Sequence, residues 1–268
     1  MIYTFFSPHS PLLIDKIDSE KSKKILNSKK SWEYIRDKIY EIDPDKIFLI
    51  LPSYKRFNNI SINQSEIFTI DFKEFGDLSV KFNVNGDLDA STRLKYFLRQ
   101  NDFNINLFSK TEINYKAFIP LYYLDKYHTF AKGLEKDVSD RIMDTEFCLI
   151  NCCESDLTHH LKFGELFYDF LKNEKGTIVV IACGDLVKNN KDNSNYKVDK
   201  FVDDFSNIIK NKSYLDILQN ESEFNRPSYY GVKPFVSIIP FISNQNLNPN
   251  ILSIEKEFDE VYMTCEFV

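Results

Sequence analysis

Histidine is scarce in this chain: there are four in 268 residues, at positions 9, 128, 159 and 160. None falls in an H-E-x-x-H or H-x-H spacing, so no ready-made helical metal motif is present. Glycine is also scarce, at seven residues, which leaves little material for flexible linkers. The glycines form no G-x-G-x-x-G, no P-loop and no G-x-S-x-G. The dinucleotide fingerprint, the phosphate-cradling loop and the nucleophile elbow are therefore missing as sequence signals. Five cysteines, at 148, 152, 153, 183 and 265, make no C-x-x-C pair and lie mostly in strand-like segments. They read as buried thiols in a reducing compartment rather than as disulfides or a zinc knuckle. Positive charge is not in excess: 34 Lys and Arg against 40 Asp and Glu give a net charge of -6, which argues against a nucleic-acid partner. No apolar run is long enough for a membrane span; the longest, VKPFVSIIPFIS, is interrupted by Pro240. The opening MIYTFFSPHS lacks the basic region of a signal peptide. The expectation is a cytoplasmic protein with no membrane association.

What is present is a large apolar fraction, 43%, with 15% aromatics, enough for a sizeable core. Strand and helix signals alternate. MIYTFF, KIFLIL, FCLINC and TIVVIAC are short continuous apolar runs, the pattern of strands buried on both faces. NISINQSEIFTIDF reads as extended, LSVKFNV and INLF as further strands, and ILSIEKEF and EVYMTCEFV as a closing antiparallel pair. SEKSKKILNSKKSWEYIRDKIYEI carries Ile25, Trp32, Ile35, Ile39 and Ile42 roughly on one face and predicts one helix, stopped by Asp43-Pro44. DASTRLKYFLRQ, HHLKFGELFYDFLKN, VDKFVDDFSNIIKN, YLDILQN and GVKPFVSIIPFISN predict helices, and KNNKDNSNYK a polar loop. This order predicts an α/β fold: a three-layer αβα sandwich with a mixed, mostly parallel central sheet, as a single domain over 1–268.

In such sheets ligands gather at the carboxyl ends of the strands. Three loops fall there: after the first strand (His9), after KIFLIL (Pro52-Ser53) and after TIVVIA (Cys183 to Lys188). His9 lies between two prolines in FFSPHSPLLI, and a rigid loop suits a metal ligand or an acid/base group. The bland reading is a satisfied structural histidine. Asp185, in ACGDLVK, reads as a ligand, an acid/base group or, more commonly for Gly-Asp, a turn former. His159 and His160 open a helix on different faces and read as exposed decoration. His128 reads as a cap at a helix end.

Taken together, segments in order over nearly the whole chain resemble the LigB-type class III extradiol ring-cleavage dioxygenases, and among them the stand-alone bacterial Memo-like relatives (AmmeMemoRadiSam system protein B). FSPHSPLLID is similar to that family's M-P-H-P-P-L-L-I-P opening, and ILPS (Ile50 to Ser53) to a strand ending in I-S-P-H. DFKEFGD, NYKAFIPLYYL (Asn114 to Leu124), IACGDLVK (Ile181 to Lys188) and SIEKEFDEVYMTCEF resemble D-F-x-x-F-G, D-H-G-x-x-V-P-L-Y-F-L, I-A-S-G-D-L-S-H and the terminal S-Y-E segment. HLKFGELFYDFL resembles the helix that follows the family's central strand.

The resemblance implies an Fe(II) or other divalent metal held by two histidines and a glutamate, with catechol and dioxygen side by side on it. Carried over residue by residue, His9 matches the first metal histidine and Glu255 the carboxylate. The second metal histidine falls on Ser53, and the two proton-transfer histidines fall on Tyr115 and Lys188. Serine is a poor ligand for Fe(II), and Lys188 brings a positive charge toward the cation, which costs about 1–4 kcal/mol at about 4 Å. The expectation is a diverged protein, metal-poor or metal-free, with Tyr115, Lys188 and Asp185 as its chemical groups and a small aromatic or anionic ligand in the old cleft. Two rivals stand beside it: an enzyme with a metal site rewired through His9, Glu255 and Asp185 or Cys183, and a non-catalytic partner or scaffold subunit, for which an exposed apolar patch near EVYMTCEFV would speak. A homo-oligomer is compatible with all three.

Overall fold

In the computed structural model, residues 1–52, 57–124, 145–188 and 195–268 are described. Ser53 and His128 lie outside them, as does most of the polar loop. The strands are β1 Ile2–Ser7, β2 Lys46–Leu51, β3 Ser61–Asn63, β4 Ile67–Phe72, β5 Asp77–Asn85, β6 Asn106–Phe108, β7 Glu146–Asn151, β8 Ile178–Cys183, β9 Pro249–Glu257 and β10 Glu260–Phe267. The helices are α1 Ser19–Ser22, α2 Leu26–Ile42, α3 Leu88–Gln100, α4 Tyr115–Leu124, α5 Leu157–Leu171, α6 Asn195–Asn211, α7 Leu215–Gln219, α8 Glu221–Phe224 and α9 Val232–Asn244.

Among the described residues, eight strands form one sheet in the order β6-β3-β7-β2-β8-β1-β10-β9. β7, β2, β8 and β1 run parallel, β3 is antiparallel to β7, and β10 and β9 close the far edge antiparallel. β4 and β5 form a separate two-stranded ribbon, so the extended reading of residues 59–72 divides between two sheets.

The continuous apolar runs are explained by burial on both faces. Phe6, Phe48, Val180 and Ala182 point to one side, where α5 and α9 bring Phe163, Phe167, Phe235 and Val236. Phe5, Leu49, Val179 and Ile181 point to the other, against Trp32, Ile35 and Ile39 of α2 and Phe118, Ile119 and Leu121 of α4. The two layers of helices on the central sheet are the αβα sandwich. Gly164 of α5 permits a close contact with α9. A Cβ there would lie 2.3 Å from the Ser237 carbonyl oxygen of α9.

Two elements differ from the sequence expectation. The helix expected over 19–42 breaks at Lys23–Ile25, because Ile25 turns into the core and is fully buried. The segment Tyr115–Leu124, to which periodicity assigns no element, is helical despite Pro120, since burial of Phe118, Ile119 and Leu121 outweighs the one backbone bond that proline removes. No helix among the described residues is long and apolar enough to cross a membrane.

Candidate functional site

The sequence of the first loop fixes His9 from several directions. The Ser10 hydroxyl accepts from the Leu12 N–H at 3.3 Å and opens a 3-10 turn over Pro11–Leu13. The Trp32 indole N–H donates to the Pro8 carbonyl at 2.9 Å, and the Tyr123 hydroxyl donates to the Leu13 carbonyl at 2.5 Å. The second loop is held by packing of backbone on backbone. A Cβ on Gly184 would lie 2.5 Å from the Gly231 Cα, and only glycine fits there.

These two loops bring His9 and Asp185, 176 residues apart, into reciprocal contact. The His9 N–H donates to Asp185 Oδ1 at 3.0 Å, and the Asp185 N–H donates to His9 Nδ1 at 3.0 Å. Both residues are fully buried. The Lys188 ammonium lies 3.4 Å from Asp185 Oδ2 and 5.0 Å from the centre of the Tyr115 ring. Tyr115, at the first turn of α4, stacks over the His9 imidazole with centroids 6.0 Å apart and planes 9° from parallel. Three groups expected from the sequence to carry chemistry, Tyr115, Lys188 and Asp185, thus surround His9.

Burial sets the protonation of this cluster. It holds the His9 imidazole well below its ordinary range, and the nearby Lys188 and Lys116 ammonium groups push the same way. Burial raises the Asp185 carboxyl against the opposing pull of Lys188. Burial pulls the Lys188 ammonium down, but the charges of Asp185, Tyr115 and Glu260 and a hydrogen bond to Tyr115 together outweigh it, so Lys188 is raised. Burial raises the Tyr115 phenol. His9 is therefore neutral, and its tautomer follows from the network. Nδ1 accepts a backbone N–H, so the ring proton sits on Nε2. That Nε2 is buried and has no hydrogen-bond partner among the described residues.

Glu255 is not brought to the cluster. It lies on β9, separated from β1 by β10, and its carboxylate accepts from the Asn27 N–H at 3.0 Å, the Ser28 N–H at 2.7 Å and the Ser28 hydroxyl at 2.6 Å. The first turn of α2 has no capping side chain from its own Ile25, and Glu255 supplies it from the sheet. Burial pushes the Cys183 thiol out of the thiolate range, and its Sγ donates to the Ile181 carbonyl at 3.8 Å. Among the described residues no three His, Cys, Asp or Glu side chains are placed to hold a metal ion.

The donors that are present do not fit a ferrous ion. A metal on His9 Nε2 needs a lone pair there, but the Asp185 N–H keeps the proton on that atom. The Asp185 carboxylate is committed to Lys188 and the His9 backbone. The Lys188 ammonium, paired with Asp185 and acting on His9, adds positive charge that a metal cation would meet.

Two members of the cluster went unread in the sequence. Glu260, at the start of β10, has its carboxyl raised by burial and by Asp185, and accepts from the Tyr262 hydroxyl at 2.7 Å. Their i, i+2 spacing on one strand face was the available signal. The histidine pair also needs correction. His160 is fully buried, not exposed: Nδ1 donates to the Asp156 carbonyl at 2.8 Å and Nε2 accepts from the Cys153 N–H at 3.3 Å. His159 is part-buried against Phe103, ring centroids 4.7 Å apart.

No family model matches the chain. Protein CA_C1420 of Clostridium acetobutylicum is 23% identical over 134 residues, which are 46% of this chain and 29% of that protein. The chain therefore aligns with less than a third of that relative's length. The crystal structure of the uncharacterized protein JW3007 from Escherichia coli K12 superposes over 100% of both chains with a TM-score of 0.62 at 11% identity. At that identity the likeness is one of fold, and it agrees with the αβα architecture.

Proposed function

We propose that the chain is a diverged LigB-type, class III extradiol dioxygenase-like protein that binds a small anionic or aromatic ligand at the carboxyl ends of β1 and β8 and does not cleave catechol rings. One observation carries the reading. His9 presents a buried, protonated Nε2 with no acceptor, next to the Lys188 ammonium. A fixed N–H donor and a resident cation suit an anionic oxygen, and the flat Tyr115 ring suits an aromatic body.

The same pair opposes ring cleavage, which needs a metal at this place to bind catechol and dioxygen together. The chain's own residues would hold the ligand: Lys188 as a point charge, His9 as a donor, Tyr115 as a stacking surface and hydroxyl. Five unpaired, buried thiols support a cytoplasmic setting. β10 is an interior strand whose Val261–Phe267 are all buried, and the exposed apolar side chains beside it are Ile254, Phe258 and Val268.

The test is a pair of assays on the full chain. Incubation with Fe(II), dioxygen and catechol should give no ring-opened absorbance, and metal analysis should find substoichiometric iron. Titration with benzoate should give saturable heat that Lys188→Met abolishes. Ring opening at an ordinary enzymatic rate, or one tightly bound metal lost on His9→Ala, overturns the reading.

A further inference from the structure

Two cavities adjoin along α6 and share no lining residue with the His9 cluster. One has a volume of about 410 Å³ and the other about 240 Å³. Lys200, Asp204, Glu223 and Phe224 line both, so the two are the ends of one groove. α6 supplies one wall; α8 and the turn toward α9 supply the other. The floor is made of buried rings that hold one another. Phe201 stacks on Tyr229 with centroids 3.8 Å apart and planes 17° from parallel, and Phe224 lies 5.6 Å from Phe201.

Charge is sorted along this groove. Lys197 and Arg226 line only the smaller cavity, and Asp216 lines only the larger one. Between them stand Lys200 and Asp204 on α6, with Glu223 on the α8 side. A Lys and an Asp four residues apart on a helix are within reach of each other. Among the described residues, however, none of Lys200, Asp204, Asp216, Glu223 and Arg226 makes an ion pair. Asp199, the neighbour of Lys200, does pair, with Lys256 at 2.6 Å. The Arg226 guanidinium lies instead over the floor, 5.9 Å from the centre of the Tyr229 ring.

We infer that the groove binds a small zwitterion, its carboxylate against Lys200 and Arg226, its ammonium against Asp204 and Glu223, and a flat apolar spacer on Phe224. The helix sets the span: four residues at 1.5 Å each place Lys200 and Asp204 about 6 Å apart along the axis. The volume admits such a molecule, since about 150 Å³ suffices for a benzene ring. Aromatic walls with a few polar groups to fix orientation are the usual make-up of a ligand site. A dianion would meet Asp204 and Glu223, and a dication would meet Lys200 and Arg226, so each is disfavoured at one end. The inference uses neither His9 nor Lys188 and does not depend on the reading of their region.

The experiment uses para-aminomethylbenzoate, which carries both charges across a ring, with para-toluate and benzylamine, which carry one each. The full-length, 15N-labelled chain is titrated with each compound. The backbone amide signals of Glu223, Phe224 and Arg226 report the groove, and those of Tyr115 and Asp185 report the His9 region. The expected result is a saturable shift of the groove signals with the zwitterion, and binding about fivefold weaker for either single-charge compound, the loss expected for one solvent-facing ion pair. Arg226→Gln should weaken the zwitterion by a similar factor and leave benzylamine unchanged. Glu223→Gln should weaken the zwitterion and leave para-toluate unchanged. Should Arg226→Gln fold poorly, Lys200→Gln carries the same expectation. No saturable shift, equal binding of a single-charge compound, or unchanged affinity in these variants would each overturn the inference. So would shifts confined to Tyr115 and Asp185. Benzoate that leaves those two signals unmoved, with the zwitterion still shifting Phe224, would break the His9 reading alone.

Discussion

Two buried histidines sit at the same edge of the sheet, and their ring nitrogens are used in opposite ways. His160, beyond β7, donates from Nδ1 to a carbonyl and accepts at Nε2 from a backbone N–H, so both nitrogens are spent on the fold. His9, beyond β1, accepts at Nδ1 and leaves a protonated Nε2 without a partner. Burial is the same and chemistry is not. A buried histidine with both nitrogens engaged is a strut; one with a nitrogen left open, beside Lys188, Asp185 and Tyr115, belongs to a site. The count of hydrogen bonds per ring separates the two, where exposure and sequence position do not.

The largest test removes the charge that distinguishes the His9 region. Lys188→Met leaves the Asp185 carboxylate buried without its cation, and denaturant unfolding should show a loss of about 3–5 kcal/mol. The double variant Lys188→Met/Asp185→Leu should recover much of it. Full additivity in that cycle would mean the pair is not coupled.

Acid should weaken both regions from the histidine side. Burial holds His160 down to about 4, against an ordinary value of 6.5, and His9 is lowered as well. The unfolded chain takes up these protons first, so stability is lost as pH falls from about 6.5, with about 3 kcal/mol from His160 alone once pH 4 is passed. The raised carboxyls of Asp185 and Glu260 act with the opposite sign above their ordinary values, so their gain overlaps the histidine loss. A difference curve against His160→Gln that is flat between pH 7 and 4 would refute a neutral, buried His160.

A smaller effect tests where Glu255 works. Glu255→Ala should cost about 1–2 kcal/mol through loss of the α2 cap and leave metal content and benzoate affinity unchanged. A change in either of the latter would return Glu255 to the site. The finest test is spectroscopic. Long-range 15N correlations should show the proton on Nε2 in His9 and on Nδ1 in His160. Like tautomers in the two rings would erase the contrast on which the site assignment rests.

The strands KIFLIL and TIVVIAC, the closing hairpin and the helices HHLKFGELFYDFLKN and GVKPFVSIIPFISN were legible because burial on one or two faces prints a period on the residues. The break at Lys23–Ile25 and helix α4 were not, because each is decided by which apolar side chains reach a core built by distant segments. In the site, Pro8 and Pro11 marked the His9 loop, and Gly184 marked the turn into Asp185. The Asp185 N–H on Nδ1 and Glu260 beside Lys188 left no mark, since each is a meeting of residues far apart in the chain.

By itself, then, the sequence determined the alternation of strands and helices, the sandwich that alternation requires and the short list of polar residues at its carboxyl edge. Periodicity and turn chemistry are local and act along the chain. Only the tertiary structure decided which of those residues meet, that Glu255 caps a helix instead of facing His9, and that the imidazole at position 9 is a neutral donor beside an ammonium. Hydrogen-bond partners and desolvation depend on distances through space, and it is these that set protonation and so the chemistry a site can perform.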